Sequence, residues 1–189
     1  MFMSAVSPYS IVAINSDQFG AVGALLVESY LSLPGMPAKD EQPEFYDMMS
    51  WVALRRVTPS VEIYVALSGA GEIVGTIDFI GDMKHYGAVT RAVSLTDAAA
   101  IRHLAVAPDY RGIGVGRSLT QFCLERAVAL GKSQVVLHTG RPMRAAWSMY
   151  ERMGFMRLRE IDFWQRQLQM LGFSLALKSG SGIGHLRLR

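Results

Sequence analysis

The 189-residue chain lacks several features that each define a class of protein. Its one cysteine, Cys123, rules out an internal disulfide framework, which fits a reducing cytosol. Charged residues make up 19% and the net charge is +3, too little and too scattered for a nucleic-acid footprint, although it favours an anionic ligand. No apolar run reaches about 18 residues and no signal-peptide pattern opens the chain. We therefore expect a cytoplasmic protein without nucleic-acid or membrane partners.

Motifs for metal and nucleophile chemistry are missing as well. The four histidines and Cys123 show no metal-ligand spacing, and no Gly-x-Ser-x-Gly elbow occurs. Cys123 shares an apolar helical stripe with its neighbours, which predicts a core residue. With 50% hydrophobic residues, the length predicts a single folded domain over residues 1–178 and a flexible tail over residues 179–189.

Hydrophobic periodicity predicts a mixed α/β fold. The first helix is expected to be capped by Ser16 and Asp17, and residues 84–99 have no clear period and are expected to form a long loop. The predicted helices span residues 19–33, 44–57, 115–130 and 143–153. The predicted strands span residues 9–14, 61–68, 72–82, 101–107, 134–139, 155–161 and 171–177.

A glycine-rich loop follows the strand that Pro108 ends. The alternating glycines are Gly112, Gly114 and Gly116. A helix that begins on such a loop leaves its first backbone N–H groups without partners. Together with the helix dipole, Arg111 and Arg117, these donors predict an anion site suited to a pyrophosphate.

Two better-known phosphate loops do not fit this spacing. Counted from Gly112, the sixth position of a dinucleotide fingerprint is Arg117 and not glycine. A P-loop requires Gly-Lys-Ser/Thr, whereas Gly116 is followed by Arg117 and Ser118. Simple turn chemistry, with no ligand, is the remaining alternative for an isolated loop of this kind.

The pattern Arg-x-x-Gly-x-Gly after Leu-Ala-Val-Ala-Pro resembles the coenzyme A loop of the GNAT superfamily of acetyl-CoA-dependent N-acyltransferases. A second segment, residues 145–155, resembles the GNAT pattern Ala-x-x-x-Tyr-Glu-x-x-Gly-Phe. The two motifs lie in order within residues 100–160. The resemblance implies a central mixed, mostly antiparallel sheet of about seven strands, with helices on both faces.

The resemblance also implies acetyl-CoA as co-substrate. Its pantetheine arm would pair with the backbone of Leu104, Ala105 and Val106. Its pyrophosphate would lie on a loop made of Arg111, Gly112, Ile113, Gly114, Val115, Gly116 and Arg117. Tyr150 would be the general acid for the departing thiolate, because a phenol stays protonated at neutral pH.

The general base is left open between His138, His103 and a water chain. The glutamate that histone-type members carry before the coenzyme loop is replaced by Ala98–Ala100. The asparagine that many members place before the motif tyrosine is replaced by Met143. This second departure puts one pantetheine contact in doubt and leaves the pyrophosphate loop untouched.

The resulting prediction is an N-acetyltransferase that moves an acetyl group to a primary amine by direct attack. The acceptor is a small molecule or a protein N-terminus or lysine, with Tyr46, Met49 and Trp51 as possible walls of its cleft. The acidic residues between 40 and 47 are either a solvated helix entry or a field that attracts an amine cation. The alternative function is a catalytically silent GNAT-like module that binds acyl-CoA or a protein, and a homodimer is left open.

Overall fold

The structure is a computed structural model that describes residues 8–87 and 90–177. The predicted tail over residues 179–189 and two residues of the predicted loop, 88–89, lie outside the described residues.

The described residues form an α/β fold around an eight-stranded sheet, in which the strand order is β1-β2-β3-β4-β5-β8-β6 and β7 pairs with β8. All pairs are antiparallel except β4 with β5, so the predicted mixed, mostly antiparallel sheet is confirmed. The strands are β1 (Tyr9–Ala13), β2 (Val61–Ser68), β3 (Ile73–Ile80), β4 (Ala98–Val106), β5 (Gln134–Gly140), β6 (Met156–Arg157), β7 (Phe163–Gln165) and β8 (Leu168–Ala176). The helices are α1 (Phe19–Leu31), α2 (Pro43–Ser50), α3 (Val52–Val57), α4 (Val115–Ala129) and α5 (Arg144–Arg152).

The sheet has an apolar core on each face because successive side chains of a strand point to opposite sides. On β2, Ile63 and Val65 pack in the cluster that includes residues of α1, α2 and α3. Their neighbours Tyr64 and Ala66 pack in the cluster that includes residues of α4 and α5. The helices therefore cover both faces, as the sequence predicts.

Two details at the N-terminal helices differ from the prediction. The helix expected over residues 44–57 is two helices, since Trp51 takes a non-helical ψ of 55° between α2 and α3. The cap ahead of α1 is Asn15, not Ser16 or Asp17. Its side chain accepts from the backbone N–H of Asp17 and, with Gln18, completes a capping box on a short 3-10 turn.

The C-terminal strands also differ from the prediction. The strand expected over residues 155–161 shortens to β6, and a 3-10 turn at Arg159–Ile161 follows it. Arg166 and Gln167 form the turn of a β7–β8 hairpin, and Arg166 takes a φ of 52° there. Within the predicted loop of residues 84–99, the last two residues already belong to β4.

Gly172 shows how tightly this end of the sheet is packed. A Cβ at Gly172 would overlap the side chain of Ile161 and lie 2.7 Å from the carbonyl oxygen of Leu158. We expect Gly172→Ala to lower the free energy of unfolding by about 1–3 kcal/mol, because an overpacked site must shift backbone. Urea unfolding followed by circular dichroism measures this change.

Gly20→Ala is the matched control, since a Cβ at Gly20 meets no atom within 4 Å. Alanine is also preferred over glycine inside a helix, so stability should stay equal or rise. Equal stability of Gly172→Ala and wild type would contradict the close packing of the β8 strand.

Candidate active site

The site begins where β4 and β5 separate. Their parallel pairing covers only Ala98 to Ala100, although both strands continue further. On its other edge, β4 contains a bulge against β3: Ala105 pairs with Thr76, while Arg102 pairs with Asp78. Such a bulge adds a residue to one strand and bends it. The bend opens a cleft between the two strands.

His103 lies at this bulge, with a φ of 51° that side-chain-bearing residues rarely adopt. The strained backbone redirects its side chain, and His103 lines the larger of two cavities at the cleft, a space of about 460 Å³. The same cavity is lined by His138, Met143 and Tyr150. The structure thus brings the predicted acid and both predicted bases together.

The glycine loop forms one end of the larger cavity. Within the described chain, the backbone N–H groups of residues 112–117 donate to no backbone or side-chain acceptor. Gly112 and Gly114 take φ values of 80° and 98°, which glycine adopts without steric cost. Arg111 and Arg117 form no ion pair with a described carboxylate. The loop is therefore a cationic cradle of free amide donors.

Close approach of α4 to the sheet holds this loop in place. A Cβ at Gly75 would lie 2.9 Å from Val115 and 3.0 Å from Leu119, so only glycine lets the first turn of α4 rest on β3. Beside the loop, Arg111 Nε donates to the carbonyl oxygen of Val106 at 3.0 Å. Part of the predicted pantetheine edge at Leu104–Val106 is thus already bound by the loop itself.

Two buried hydroxyl groups in the larger cavity indicate that it suits an extended polar ligand. Ser29 and Thr139 line the larger cavity, and neither side-chain oxygen has a hydrogen-bond partner among the described residues. An unsatisfied buried hydroxyl is costly unless a ligand or water completes it. Together with the free amides of the loop, these groups fit a long molecule that carries phosphates at one end and amides along its length.

Tyr150 is oriented into the larger cavity from α5. It is 5% exposed and packs edge-to-face on Phe155, with ring centroids 5.5 Å apart. Its hydroxyl forms no hydrogen bond within the described ranges. Burial raises the pKa of Tyr150 above its ordinary value, so the phenol remains protonated and can donate.

His103 forms a buried pair with Asp78. His103 Nδ1 and Asp78 Oδ2 are 2.8 Å apart, and Arg55 Nε donates to the same oxygen at 2.8 Å. Burial disfavours the charged carboxylate, but His103 and Arg55 outweigh it and hold the pKa of Asp78 below its usual range. Burial lowers the pKa of His103 to about 4 against the opposing effect of Asp78. The carboxylate therefore accepts a hydrogen bond from Nδ1–H, and among the described residues nothing occupies the lone pair of Nε2 on the neutral ring.

His138 has both ring nitrogens occupied. Because a carbonyl only accepts, Nε2 donates to Ile161 at 2.8 Å, which leaves Nδ1 to accept from the Tyr86 hydroxyl at 2.5 Å. Burial lowers the pKa of His138 to about 4. Unlike His103, it has no free lone pair to offer.

A smaller cavity of about 40 Å³ continues the cleft, and its lining includes Arg102, His103 and His138 but no residue of the glycine loop. Of the three residues expected to wall the acceptor cleft, Met49 lines this smaller cavity. Tyr46 and Trp51 line neither cavity. Tyr46 is fully buried and its hydroxyl donates to the Pro37 carbonyl, whereas Trp51 is 54% exposed.

Sequence reasoning missed several residues of the site. Asp78 could have been found, because it is the one acidic residue in the apolar strand β3 and a buried carboxylate needs partners. Met143 takes the position of the usual asparagine and lines both cavities, where its sulfur accepts weakly from the Gly140 N–H at 3.4 Å. No local signal marks the remaining walls of the smaller cavity, which include Tyr30, Phe45 and Met170.

The acidic segment lies away from both cavities. Glu41 accepts from the backbone N–H of Ala38, and Glu44 pairs with Arg166 at the tip of the β7–β8 hairpin. None of the four acids between 40 and 47 lines either cavity. Their placement corresponds to a solvated helix entry.

Across the part of the chain that the structure describes, there is no group of three potential metal ligands, and no helix is long and apolar enough to cross a membrane. Cys123 lies on the buried face of α4 in the core, as predicted, and burial raises the pKa of its thiol.

A glycine loop of free amides at the end of a splayed parallel strand pair makes this an α/β fold with an anion-binding site at its cleft. Residues 24–155 match the acetyltransferase (GNAT) family, and the chain belongs to this family. Acetyl-CoA is the co-substrate of the family.

Curated relatives resemble only part of the chain. It is 36% identical over 83 residues to N-alpha-acetyltransferase 30 of Schizosaccharomyces pombe, which is 44% of this chain and 54% of that protein. It is 40% identical over 63 residues to mycothiol acetyltransferase of Geodermatophilus obscurus, which is 33% of this chain and 20% of that protein. The chain thus spans about half or less of the length of these relatives.

Solved structures match nearly the whole fold at low identity. A GNAT-family acetyltransferase of Staphylococcus aureus has a TM-score of 0.64 at 17% identity, over 90% of this chain and 99% of that one. The yncA protein of Salmonella typhimurium, solved with its cofactor acetyl-CoA, has a TM-score of 0.62 at 15% identity, over 95% and 99%. Spermidine N-acetyltransferase of Vibrio cholerae, in complex with CoA and spermine, has a TM-score of 0.59 at 17% identity. The match covers 90% of this chain and 96% of that one.

The two buried histidines predict acid sensitivity. The pKa of His138 is about 4 in the folded chain against about 6.5 when unfolded, so the unfolded chain binds more protons between these values. Stability is therefore full above pH 6.5 and is lost as the pH falls towards 4. His138→Gln should make the dependence of unfolding free energy on pH shallower by up to about 1.4 kcal/mol per pH unit in this window.

Urea unfolding of wild type and His138→Gln at pH 5.0, 6.0 and 7.5 measures the difference. Groups such as Asp78 titrate in both proteins, so they cancel in the comparison. Parallel curves for the two proteins would refute a buried neutral His138.

Proposed function

We propose that the protein is an N-acetyltransferase that moves an acetyl group from acetyl-CoA to a primary amine without a covalent enzyme intermediate. One observation carries the proposal: a single cavity is lined by Gly112 and residues 114–117 with their free amides, by Tyr150 with its unbonded hydroxyl, and by His103. Ile113 of the predicted loop does not line it. These are a phosphate cradle, a proton donor and a proton acceptor. The family and its co-substrate support the same reaction.

The coenzyme occupies the larger cavity in this proposal. Its pyrophosphate binds the amides of residues 112–117 with help from Arg111 and Arg117, because helix N-termini favour anions. Its pantetheine follows the unpaired edge of β4 at Leu104–Val106, displacing the contact of Arg111 with the Val106 carbonyl. Thr139 offers a further hydroxyl along this path.

His103 is the general base in this proposal, and His138 is a structural residue. Only His103 keeps a ring nitrogen free to accept a proton from the amine. Asp78 is a positioning residue, because it accepts a hydrogen bond from Nδ1–H and stabilises the imidazolium that forms. The pKa of about 4 keeps the ring neutral at physiological pH, so it accepts the proton transiently and passes it on readily.

The reaction balances with these residues alone. The amine nitrogen attacks the thioester carbonyl carbon, a C–N bond forms, and an amine proton passes to His103 Nε2. The C–S bond then breaks, and the thiolate takes a hydrogen bond and a proton from Tyr150. Because the pKa of Tyr150 is raised, full proton transfer is uphill, and His103 returns its proton through solvent to reset the phenol.

Removal of the acid tests the proposal directly. We expect purified protein with acetyl-CoA and an amine panel to yield acetylated amine by mass spectrometry. Tyr150→Phe should lower kcat about 10²- to 10⁴-fold while acetyl-CoA binding by calorimetry stays within a few-fold, because only the proton donor is lost.

Tyr64→Phe is the matched control, since Tyr64 is a buried tyrosine that bonds Glu62 and lines neither cavity. Its kcat should remain near the wild-type value. Tight coenzyme binding with no turnover on small amines, peptides or aminoglycosides would instead establish the silent acyl-CoA-binding module.

The base assignment is tested by pH. We expect His103→Gln to lower kcat/KM about 10²- to 10⁴-fold and His138→Gln to change it only a few-fold. The wild-type rate divided by the His103→Gln rate should be constant from pH 5.5 to 8, because a base with a pKa of about 4 stays neutral throughout. Titration of the acceptor amine cancels in this ratio.

Initial rates with one amine across this range provide the measurement. A base with an ordinary pKa near 6.5 would make the ratio fall about tenfold at pH 5.5. That fall would contradict the low pKa of His103, and a larger loss in His138→Gln than in His103→Gln would reverse the assignment of the base.

A further inference from the structure

The smaller cavity borders the proposed base His103, so its walls bear on the acceptor amine, an inference that rests on the proposed function. His103 borders both cavities, so a molecule in the smaller one reaches the base from a side where the glycine loop makes no contact. The walls of the smaller cavity come from α2, the β4 bulge and the β7–β8 hairpin. What these walls offer decides which amine fits.

Most of the lining is apolar and polarizable. Four methionines and three aromatic residues contribute to it, and they include Phe45, Met48, Met49 and Met170. Phe45, Met49 and Met170 are each at most 9% exposed. Methionine side chains are flexible, so these walls can move apart and widen the free space of about 40 Å³ around a compact hydrocarbon or thioether side chain. A cationic side chain would lose its hydration here without finding a carboxylate partner.

The residues that line the smaller cavity include one permanently charged side chain, the cation Arg102, and no carboxylate. Arg102 is half-buried, its Nη1 donates to the Tyr86 carbonyl at 2.5 Å, and its guanidinium lies 5.1 Å from the Tyr86 ring centroid. Asp78 lies across from it in the sheet but bonds Arg55 and His103 instead. Within the described chain, Arg102 therefore forms no ion pair.

The bulge explains why a cation and a base lie side by side. Arg102 and His103 are consecutive, and an ordinary strand would point them to opposite faces. The bulge redirects one of them, and both line the smaller cavity. A ligand with a negative group close to its amine can therefore engage both at once.

We infer that the acceptor is an apolar α-amino acid whose amine lies at His103, whose carboxylate pairs with Arg102 and whose side chain enters the methionine-lined cavity. Arginine is suited to this role because its planar fork matches a carboxylate. Acetyl transfer would form an amide on the α-nitrogen and release the coenzyme thiol.

Two other acceptor classes fit these walls less well. A polyamine would bring a second positive charge to a cavity that contains Arg102 and no carboxylate. A peptide N-terminus would place a neutral carbonyl where the unpaired cation favours a carboxylate. Both classes belong in the test, because the spermidine enzyme and the N-alpha-acetyltransferase are among the chain's relatives.

The test compares leucine with leucinamide, which keeps the amine and side chain and lacks only the carboxylate. At saturating acetyl-CoA, we expect leucine to exceed leucinamide in kcat/KM per free amine. In Arg102→Gln this leucine-to-leucinamide ratio should fall about 10- to 100-fold, the effect of one charge-assisted contact. Arg102→Lys should retain part of the ratio. A general loss of folding changes both substrates alike and leaves the ratio unmoved.

The apolar walls are tested in the same assay with glycine, spermidine and the peptide Leu-Ala-amide. Leucine should exceed glycine at least about tenfold, since small apolar groups discriminate by this amount in a fitted cavity. Three outcomes would overturn the inference while leaving the transferase function intact. They are equal kcat/KM for leucine and leucinamide, a leucine-to-leucinamide ratio that is unchanged in Arg102→Gln, and a preference for spermidine or the peptide. Failure of every amine in the panel would overturn both.

Discussion

The bulge in β4 is the constraint on which the site depends. Parallel pairing with β5 stops at Ala100, and the bulge at His103 turns β4 away from its neighbour. One deformation thereby opens an unpaired strand edge beside the glycine loop and directs a histidine into the opening. The positive φ of His103 costs stability, and the packing of both sheet faces around the bulge offsets that cost.

A second constraint is the distribution of charge inside the cleft. Asp78 is 2% exposed, and Arg55 and His103 hold it as a carboxylate. Its contact with His103 keeps the imidazole in one tautomer, while Arg55 limits how much the carboxylate can raise the pKa of that ring. The cations Arg102, Arg111 and Arg117 have no such partner among the described residues. The cleft is therefore ready for anionic groups and for a neutral amine.

The order of elements and the glycine loop were readable from local pattern. A strand, a proline and alternating glycines before an amphipathic helix specify free amide donors whatever surrounds them. The errors lie where distant elements decide the structure. The helix breaks at Trp51, directly after Ser50, whose backbone lies close to Gly23 of α1. The turn at residues 159–161 packs against Gly172 of β8, and periodicity contains no record of such contacts.

By itself, the sequence determined the mixed α/β order, the glycine-rich loop and the tyrosine that follows it, because each depends on residues a few positions apart. Only the tertiary structure distinguishes the two histidines, since both ring nitrogens of His138 bond Tyr86 and Ile161 while His103 bonds Asp78 through Nδ1. The same holds for the methionine-lined cavity beside Arg102. Its walls come from α2, β4 and β8, and only the closing of the sheet brings residues so far apart in the chain around one space.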